Sequence, residues 1–277
     1  MLATLAKKAE SNFKVNGNDY EKNGLIYCGN CNSPKQTIVM FGNAKKKVAC
    51  MCKCECEEYE KQKELDKKQK RMDMVNRLRT DGIKLSLQGC TFESDDGTRN
   101  RKQMAMAKRY VEKWQQIKTE NIGLLFWGDT GNGKTFTAAC IANELVSRGV
   151  PVLMTSFPNI LNMAQGMYSD EKKDYIQSLN NYDLLIVDDL GVERHTDFGF
   201  EIVYSVIDQR YIEKLPIIIT TNLTAEEMKN PKELRTQRIY DRVNEMCVPV
   251  RFDGDSKRKE IAEEKIVRAR EILRKDE

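Results

Sequence analysis

Histidine is nearly missing from this sequence: His195 is the single one among 277 residues. A catalytic triad built on histidine therefore has almost nothing to draw on, and His195 itself reads as a surface-loop residue. Long apolar runs are missing as well. No stretch approaches the roughly 20 residues that a membrane-spanning helix needs. The opening Met1-Leu2-Ala3-Thr4-Leu5-Ala6 runs straight into Lys7-Lys8 and a polar stretch, too short to read as a secretory h-region. A soluble, cytoplasmic protein with no membrane partner is expected. A large net charge is absent too. Lys and Arg number 46 against 42 Asp and Glu, a net of +4, so any polyanion-binding surface must be a local patch. Residues 55–80 contain no proline and no glycine.

What is present is a chain long enough for one main domain and something smaller. Apolar residues make up 40% of it, enough for a core, and charged residues 32%, above the usual ~25%. Six of the nine cysteines lie between Cys28 and Cys56, and Cys90, Cys140 and Cys247 are scattered. In an intracellular protein such a cluster points to metal rather than to disulfides.

The main domain centres on Leu124-Leu125-Phe126-Trp127-Gly128-Asp129-Thr130-Gly131-Asn132-Gly133-Lys134-Thr135. An apolar strand ends in Gly-x-x-x-x-Gly-Lys-Thr and a helical pattern follows at once, the required context of a phosphate-binding loop. Successive backbone N–H groups can point at a β-phosphate, and the next helix adds its dipole. The candidate nucleotide-binding residues are Gly128, Asp129, Thr130, Gly131, Asn132, Gly133, Lys134, Thr135 and Phe136. Lys134 can reach the β- and γ-phosphates, and the Thr135 hydroxyl can ligate Mg²⁺. ATP and Mg²⁺ are the expected ligands.

Ahead of it stand Cys28-Gly29-Asn30-Cys31 and, about twenty residues on, Cys50-Met51-Cys52-Lys53-Cys54-Glu55-Cys56. Two knuckles at this spacing suggest a zinc-ribbon-like layout, with a short strand over Val39–Phe41 and a turn at Gly42-Asn43 between them. Four thiolates close a structural Zn²⁺ site. Zinc needs two of the four distal cysteines; Cys28, Cys31, Cys52 and Cys54 are the chosen set, with Cys50 and Cys56 as alternates. Residues 1–24 are polar and mixed, with Leu2, Leu5 and Ala9 as a possible short helix. Glu55 to Thr80 is charge-laced, with near-neighbour acid–base pairs that support an exposed helical connector, stopped by Asp81-Gly82. A turn-rich segment from Cys90 to Gly97 leads into the main domain.

Beyond, residues 101–117 form an amphipathic helix with Met104, Ala107, Val111 and Trp114 at helical spacing. Ala138, Ile141, Ala142, Leu145 and Val146 mark the next helix, which ends at Gly149. A strand at 152–155 follows, then a helical stretch over 158–180 broken near Gly166. Leu184–Asp189 is a buried strand ending in two carboxylates, 197–213 a helix, Ile217–Asn222 a strand with a polar tip, and Val248–Phe252 the last strand. Asp255-Ser256 opens a C-terminal helix with Ala262, Ile266, Ala269 and Leu273 on one face. Near-continuous apolar strands alternating with helices mean a parallel sheet covered on both faces. Its ligand belongs at the carboxyl ends of the strands, where Gly128, Asp188 and Asn222 all lie. Asp188 can hold Mg²⁺, Asp189 can orient the attacking water, and Asn222 can hydrogen-bond the γ-phosphate or that water. As alternatives, the two carboxylates could serve as helix caps and Asn222 as a turn residue. Arg235-Thr236-Gln237-Arg238-Ile239-Tyr240-Asp241-Arg242 is arginine-rich, and an arginine supplied in trans stabilises charge in phosphoryl transfer.

Together the phosphate loop, Leu-Leu-Ile-Val-Asp-Asp-Leu-Gly, Ile-Asp-Gln-Arg-Tyr before Ile-Ile-Ile-Thr-Thr-Asn, and Arg-Ile-Tyr-Asp-Arg resemble bacterial replicative helicase loaders. These are the DnaC/DnaI-like AAA+ ATPases, a group that includes the transposition helper IstB. The likeness covers residues 25–258. It implies an α/β fold: an AAA+ P-loop domain with a five-stranded parallel sheet between helices, preceded by a small zinc-binding module and a helical connector. The expected domains are 1–56, the zinc-binding, helicase-interacting module; 57–90, the helical linker; and 91–277, the ATPase. The resemblance makes Lys134 and Thr135 Walker A, Asp188 the Walker-B metal residue, and Asn222 sensor 1. Arg242 matches the arginine finger, with Arg238 as alternate, and Arg258 matches sensor 2. Residues 156–180 match an insertion that helps bind single-stranded DNA. The implied partners are a replicative helicase, single-stranded DNA and further copies of the chain, joined through the ATP sites. Many AAA+ proteins carry Glu at the place of Asp189, so hydrolysis is expected to be slow or partner-dependent. A transposition helper on duplex DNA, or a nucleotide-gated adaptor with little turnover, are the alternatives.

Overall fold

The computed structural model describes residues 16–42, 44–191, 196–231, 233–254 and 256–273. The expectations for Leu2, Leu5, Ala9, His195 and Asp255 lie outside the described residues. The chain divides into two compact units, one reaching to Met72 and one starting at Asp73. The expected linker 57–90 is shared between them.

In the first unit, β1 (Tyr20–Lys22) and β2 (Leu25–Tyr27) pair antiparallel. Their two-residue turn, Asn23-Gly24, has positive φ at both positions, 52° and 73°, the backbone that an Asn-Gly hairpin turn requires. β3 (Gln36–Phe41) and β4 (Ala44–Ala49) form a second antiparallel hairpin. The helix α1 (Lys53–Gly82) begins in this unit and its last turns belong to the second. Among the described residues of the first unit, the buried apolar side chains are Cys28 and Cys52 alone, joined by the polar Ser33 and Lys35. Lys35 bridges Asp19 at 3.1 Å and Glu55 at 3.0 Å. So little apolar burial cannot offset the chain entropy of folding.

The second unit holds a five-stranded parallel sheet: β5 (Gly123–Gly128), β6 (Val152–Ser156), β7 (Leu184–Leu190), β8 (Ile217–Thr221) and β9 (Cys247–Phe252). They lie side by side in the order β6-β7-β8-β5-β9. The helices are α2 (Arg101–Glu112), α3 (Trp114–Thr119), α4 (Lys134–Ser147), α5 (Phe157–Ala164), α6 (Ser169–Ser178), α7 (Asp197–Ile212), α8 (Ala225–Lys229), α9 (Leu234–Met246) and α10 (Lys257–Leu273). Strand alternation splits the apolar runs between two cores. Leu125, Leu185, Val187, Ile217 and Ile219 face a core completed by α5, α6, α7 and α9. Leu124, Phe126, Leu184, Ile186 and Ile218 face the opposite core, completed by Ile83, α2, α3 and α4.

The expected connector is not solvated along its whole length. Val75 and Leu78 pack against that second core and Ile83 is buried in it. A side chain at Gly82 would strike the Val152 carbonyl at 2.0 Å. The expected continuous helix over 101–117 is broken at Lys113, yet Met104, Ala107, Val111 and Trp114 are all buried as their spacing required. The helix after the phosphate loop ends as expected. Gly149 has φ 83°, its N–H donates to the Val146 carbonyl and the Val150 N–H to that of Leu145, a Schellman cap. The expected C-terminal helix forms as α10, but its apolar face finds no cover among the described residues: Ile266 and Leu273 are 51% and 79% exposed. The spacing that makes such a stripe is the same whether its partner lies in the chain or outside it.

Candidate functional site

The phosphate loop leaves the carboxyl end of β5, the strand between β8 and β9. Gly128 turns it with φ 138°, and a Cβ there would lie 2.2 Å from the Phe252 carbonyl oxygen. Gly133 caps α4 with φ 97°. Both positions demand a residue without a side chain. Buried Asn132 donates to the Phe252 carbonyl at 2.6 Å and accepts from Lys134 at 3.3 Å. The Lys134 ammonium also donates to the Gly128 and Asp129 carbonyls, each at 2.7 Å. It lies folded into the loop, where burial pushes its pKa down against the pull of Asp189, Asp188 and Asp129.

The Thr135 hydroxyl donates to Asp188 at 2.9 Å, so the two residues expected to share Mg²⁺ already meet. Thr220 joins them. Its hydroxyl donates to Asp188 and accepts from the Asp189 N–H at 3.0 Å. In an unbroken strand, neighbours 188 and 189 would face opposite sides of the sheet. The pairing of β7 with β8 slips between Val187 and Leu190, and Asp189 takes φ 62°. With this bulge Asp189 lines the cleft while Asp188 meets the Thr135 hydroxyl at its edge. Burial, and then the neighbouring Asp188, raise the pKa of Asp189, while Arg258 and Lys134 oppose the shift.

The cleft has a volume of about 490 Å³, within the usual range for a small-molecule site. Thr130 to Thr137, Asp189, Asn222 and Arg258 line it. Sequence reasoning missed its other walls: Ser94, Asp95, Asp96, Arg99, Asn100, Met104 and Lys257. Asn100 donates to the Asn132 carbonyl at 2.7 Å. Asp96 pairs with Lys257, and Arg99 with Glu260. The Lys257 N–H donates to the Gly131 carbonyl at 3.0 Å. The start of α10 and the 94–100 segment are thus tied to each other and to the loop. Only the turn-rich composition of 90–97 hinted at this.

Arg242 lies elsewhere. It pairs with Asp208 and sits over the rings of Tyr204 and Tyr211, 4.9 Å and 5.2 Å from their centroids. Arg238, one turn earlier on α9, is exposed beside Phe200 and Tyr204.

In the first unit, the sulfurs of Cys28, Cys31, Cys52 and Cys54 all lie within 4.8 Å of one another. Cys54 Sγ is 3.6 Å from that of Cys28 and 3.2 Å from that of Cys52. Zn–S bonds of ~2.3 Å in a tetrahedron set sulfurs about 3.8 Å apart, so this donor set fits zinc. Cys50 and Cys56 turn away, onto the carbonyls of Pro34 and Met51. The Ser33 hydroxyl, 3.0 Å from Cys31, pulls that thiol down to about 5.

A family model described as "IstB-like ATP binding protein" matches residues 53–265. The replicative helicase loader DnaC of Escherichia coli K12 is 29% identical over 187 residues, 65% of this chain and 73% of that protein. The replicative helicase loader DnaI of Bacillus subtilis is 24% identical over 207 residues, 70% of this chain and 65% of its own length. A crystal structure of DnaI superposes with a TM-score of 0.52 at 24% identity, covering 63% of this chain and 94% of that one. That likeness establishes the AAA+ fold. The family match begins at Lys53, so Cys28, Cys31 and Cys52 lie outside it.

Proposed function

The chain belongs to the family of IstB-like ATP-binding proteins, and from that premise we propose that it is an ATP-dependent loader of a replicative DNA helicase onto single-stranded DNA. The observation that carries this reading is the similarity, over about two thirds of the chain, to the helicase loaders of two bacteria. The compact cysteine module ahead of that unit supports it over a transposition helper. The protein acts in the cytoplasm, and its chemistry is hydrolysis of ATP to ADP and phosphate.

Backbone N–H groups of Gly131 to Thr135 cradle the phosphates, and Lys134 leaves the Gly128 and Asp129 carbonyls to meet them. Thr135 and Asp188 would hold Mg²⁺, which would supply positive charge to the phosphate oxygens. Asp189 polarises the attacking water, Asn222 holds the γ-phosphate side of the cleft, and Arg258 reaches in from α10. The trans arginine comes from α9 of a neighbouring copy. Arg238 is better placed for this than Arg242, because Arg242 is already engaged by Asp208 and two tyrosines. Cys28, Cys31, Cys52 and Cys54 would hold a structural Zn²⁺ that would tie together the module that grips the helicase. Residues 156–180 contribute to binding single-stranded DNA.

Lys134→Ala is expected to abolish nucleotide binding and, with it, ATP-dependent recovery of a replicative helicase from the source cell. Recovery of a transposase and no helicase would replace this reading with that of a transposition helper. The short, half-buried Asp189 favours one second reading, an adaptor with little turnover. Steady-state ATPase rates with helicase and single-stranded DNA present separate the two.

A further inference from the structure

Two apolar surfaces of the second unit have no assigned task, and their chemistry is complementary. The first is on α10. No side chain of this helix enters either core of the sheet. Among the described residues, no ion pair or side-chain hydrogen bond ties it to the rest of the chain beyond Glu260. At about 100° per residue, Ala262, Ile266, Ala269 and Leu273 fall on one stripe. Lys259 and Arg270 flank that stripe on one side, Arg258 and Lys265 on the other. Glu260, Glu264 and Glu271 fall on the far face, and Glu263, just outside Arg270, is the carboxylate nearest the stripe. The stripe is therefore apolar with basic flanks. The second surface is a groove of about 200 Å³ between α7 and α9. Phe200, Tyr204 and Ile239 give it apolar walls; Asp197 and Glu201 stand on its α7 rim and Arg238 on its α9 rim. Asp197 pairs with Arg235, and Glu201 takes part in no ion pair among the described residues.

We propose that the α10 stripe of one copy docks in the α7–α9 groove of the next, a head-to-tail contact between copies of this chain. It rests on the reading that a neighbour's arginine completes the ATP cleft, and names the surfaces that deliver that arginine. Charge selects a second copy as the occupant: the basic flanks of the stripe, Lys265 and Arg270, meet the acidic α7 rim at Glu201. Position selects it too. Lys257 and Arg258, at the start of α10, line the ATP cleft, and Arg238 lines the groove. One contact therefore seats the stripe and brings Arg238 to the cleft. The lengths agree. Ile266 stands about 12 Å along the helix from Arg258, and the α7 wall from Asp197 to Tyr204 runs about 10 Å. Within one copy the two surfaces do not meet. No residue of α10 lines the groove, and the helix is anchored at its first turn to the phosphate loop and the 94–100 segment. Because stripe and groove are different patches, the contact repeats from copy to copy and builds a ring or an open spiral.

The test is sedimentation velocity on the full-length, zinc-loaded chain with Mg²⁺ and a saturating non-hydrolysable ATP analogue, helicase and DNA being left out. The parent should associate beyond the dimer. Ile266→Asp puts a carboxylate into the apolar contact, and Glu201→Arg reverses the charge of the acidic rim. Each should weaken association at least about tenfold, with the monomer's nucleotide affinity and melting temperature equal to the parent's. An equimolar mixture of the two variants retains one intact stripe and one intact groove, and should form dimers and nothing larger. A benzophenone side chain at position 266, mixed with isotope-labelled parent, should crosslink to the labelled peptide that holds Phe200 and Tyr204. Crosslinks from position 266 to a second α10 would overturn the proposal, as would a Glu201→Arg chain that assembles like the parent. A parent that stays monomeric with the analogue bound would overturn it too. Failure of the underlying reading shows differently: an Arg238→Ala chain that hydrolyses ATP like the parent would remove the finger and leave the assembly results as they are.

Discussion

Asp189 stands in left-handed backbone at φ 62°, a conformation that costs a non-glycine residue of order 1 kcal/mol or more. Its carboxylate is raised in pKa, first by burial and then by Asp188. The native state therefore holds the Asp189 proton more tightly than the unfolded chain does, and stability falls as pH rises above the ordinary carboxylate range. Asp189→Asn removes that penalty. Its thermal midpoint should exceed the parent's at neutral pH, with the gap closing on acidification, while turnover drops about 10² or more if Asp189 polarises the water. Melting curves across pH and a turnover assay check both halves. Equal melting at all pH values would show that the carboxylate carries no strain. Arg210 is a purely structural counterpart, fully buried with no carboxylate partner among its hydrogen bonds. It donates to the carbonyls of Pro216 at 2.6 Å and Tyr182 at 2.8 Å, where the ends of α7 and two strands meet. Arg210→Met leaves those carbonyls without donors, and urea unfolding should register a loss of about 3 kcal/mol with nucleotide affinity unchanged.

The α7–α9 pair separates the two candidate fingers. Arg242, clasped by Asp208 and two tyrosine rings, cements the pair, an interaction worth roughly 2 kcal/mol when partly desolvated. Arg242→Ala should lower the melting temperature, whereas Arg238→Ala should leave it unchanged and abolish the hydrolysis that depends on assembly. The opposite pattern, with Arg238→Ala hydrolysing like the parent in assembled protein, would return the finger to Arg242. Elements were far more legible than their junctions. Leu184–Val187 and Ile217–Ile219 announce buried parallel strands because both their faces are covered, and the glycine-rich turn before α4 has few other uses. The bulge at Asp188–Asp189 left no trace, since it exists only in the pairing of β7 with β8. Thr220 was invisible as the bridge between the two carboxylates for the same reason. The Arg99–Glu260 tie joins residues 161 apart in the chain, a distance that no local pattern spans.

At the scale of the whole molecule, the two units hold themselves together by different physics. The second buries a continuous apolar core on each face of its sheet. The first buries Cys28 and Cys52 and little else among the described residues, apart from the Asp19–Lys35–Glu55 ion pairs. A core in so small a unit rarely supplies more than about 3–5 kcal/mol, and here the apolar part is almost wanting. A structural zinc site contributes roughly 10–16 kcal/mol of apparent binding energy, enough to decide whether such a unit folds. Metal analysis should find about one zinc per chain. Stripping it with a chelator should unfold the first unit alone. Amide exchange would become fast through residues 20–56, while the second unit keeps its exchange protection, its melting transition and its affinity for ATP. Readdition of zinc should restore the protected amides. Cys52→Ser should copy the chelator's effect and Cys56→Ser should not, because Cys56 stands outside the sulfur cluster. A first unit that keeps its amide protection without metal would mean that the Lys35 ion pairs and the two hairpins suffice, and the four sulfurs would then be a coincidence of packing.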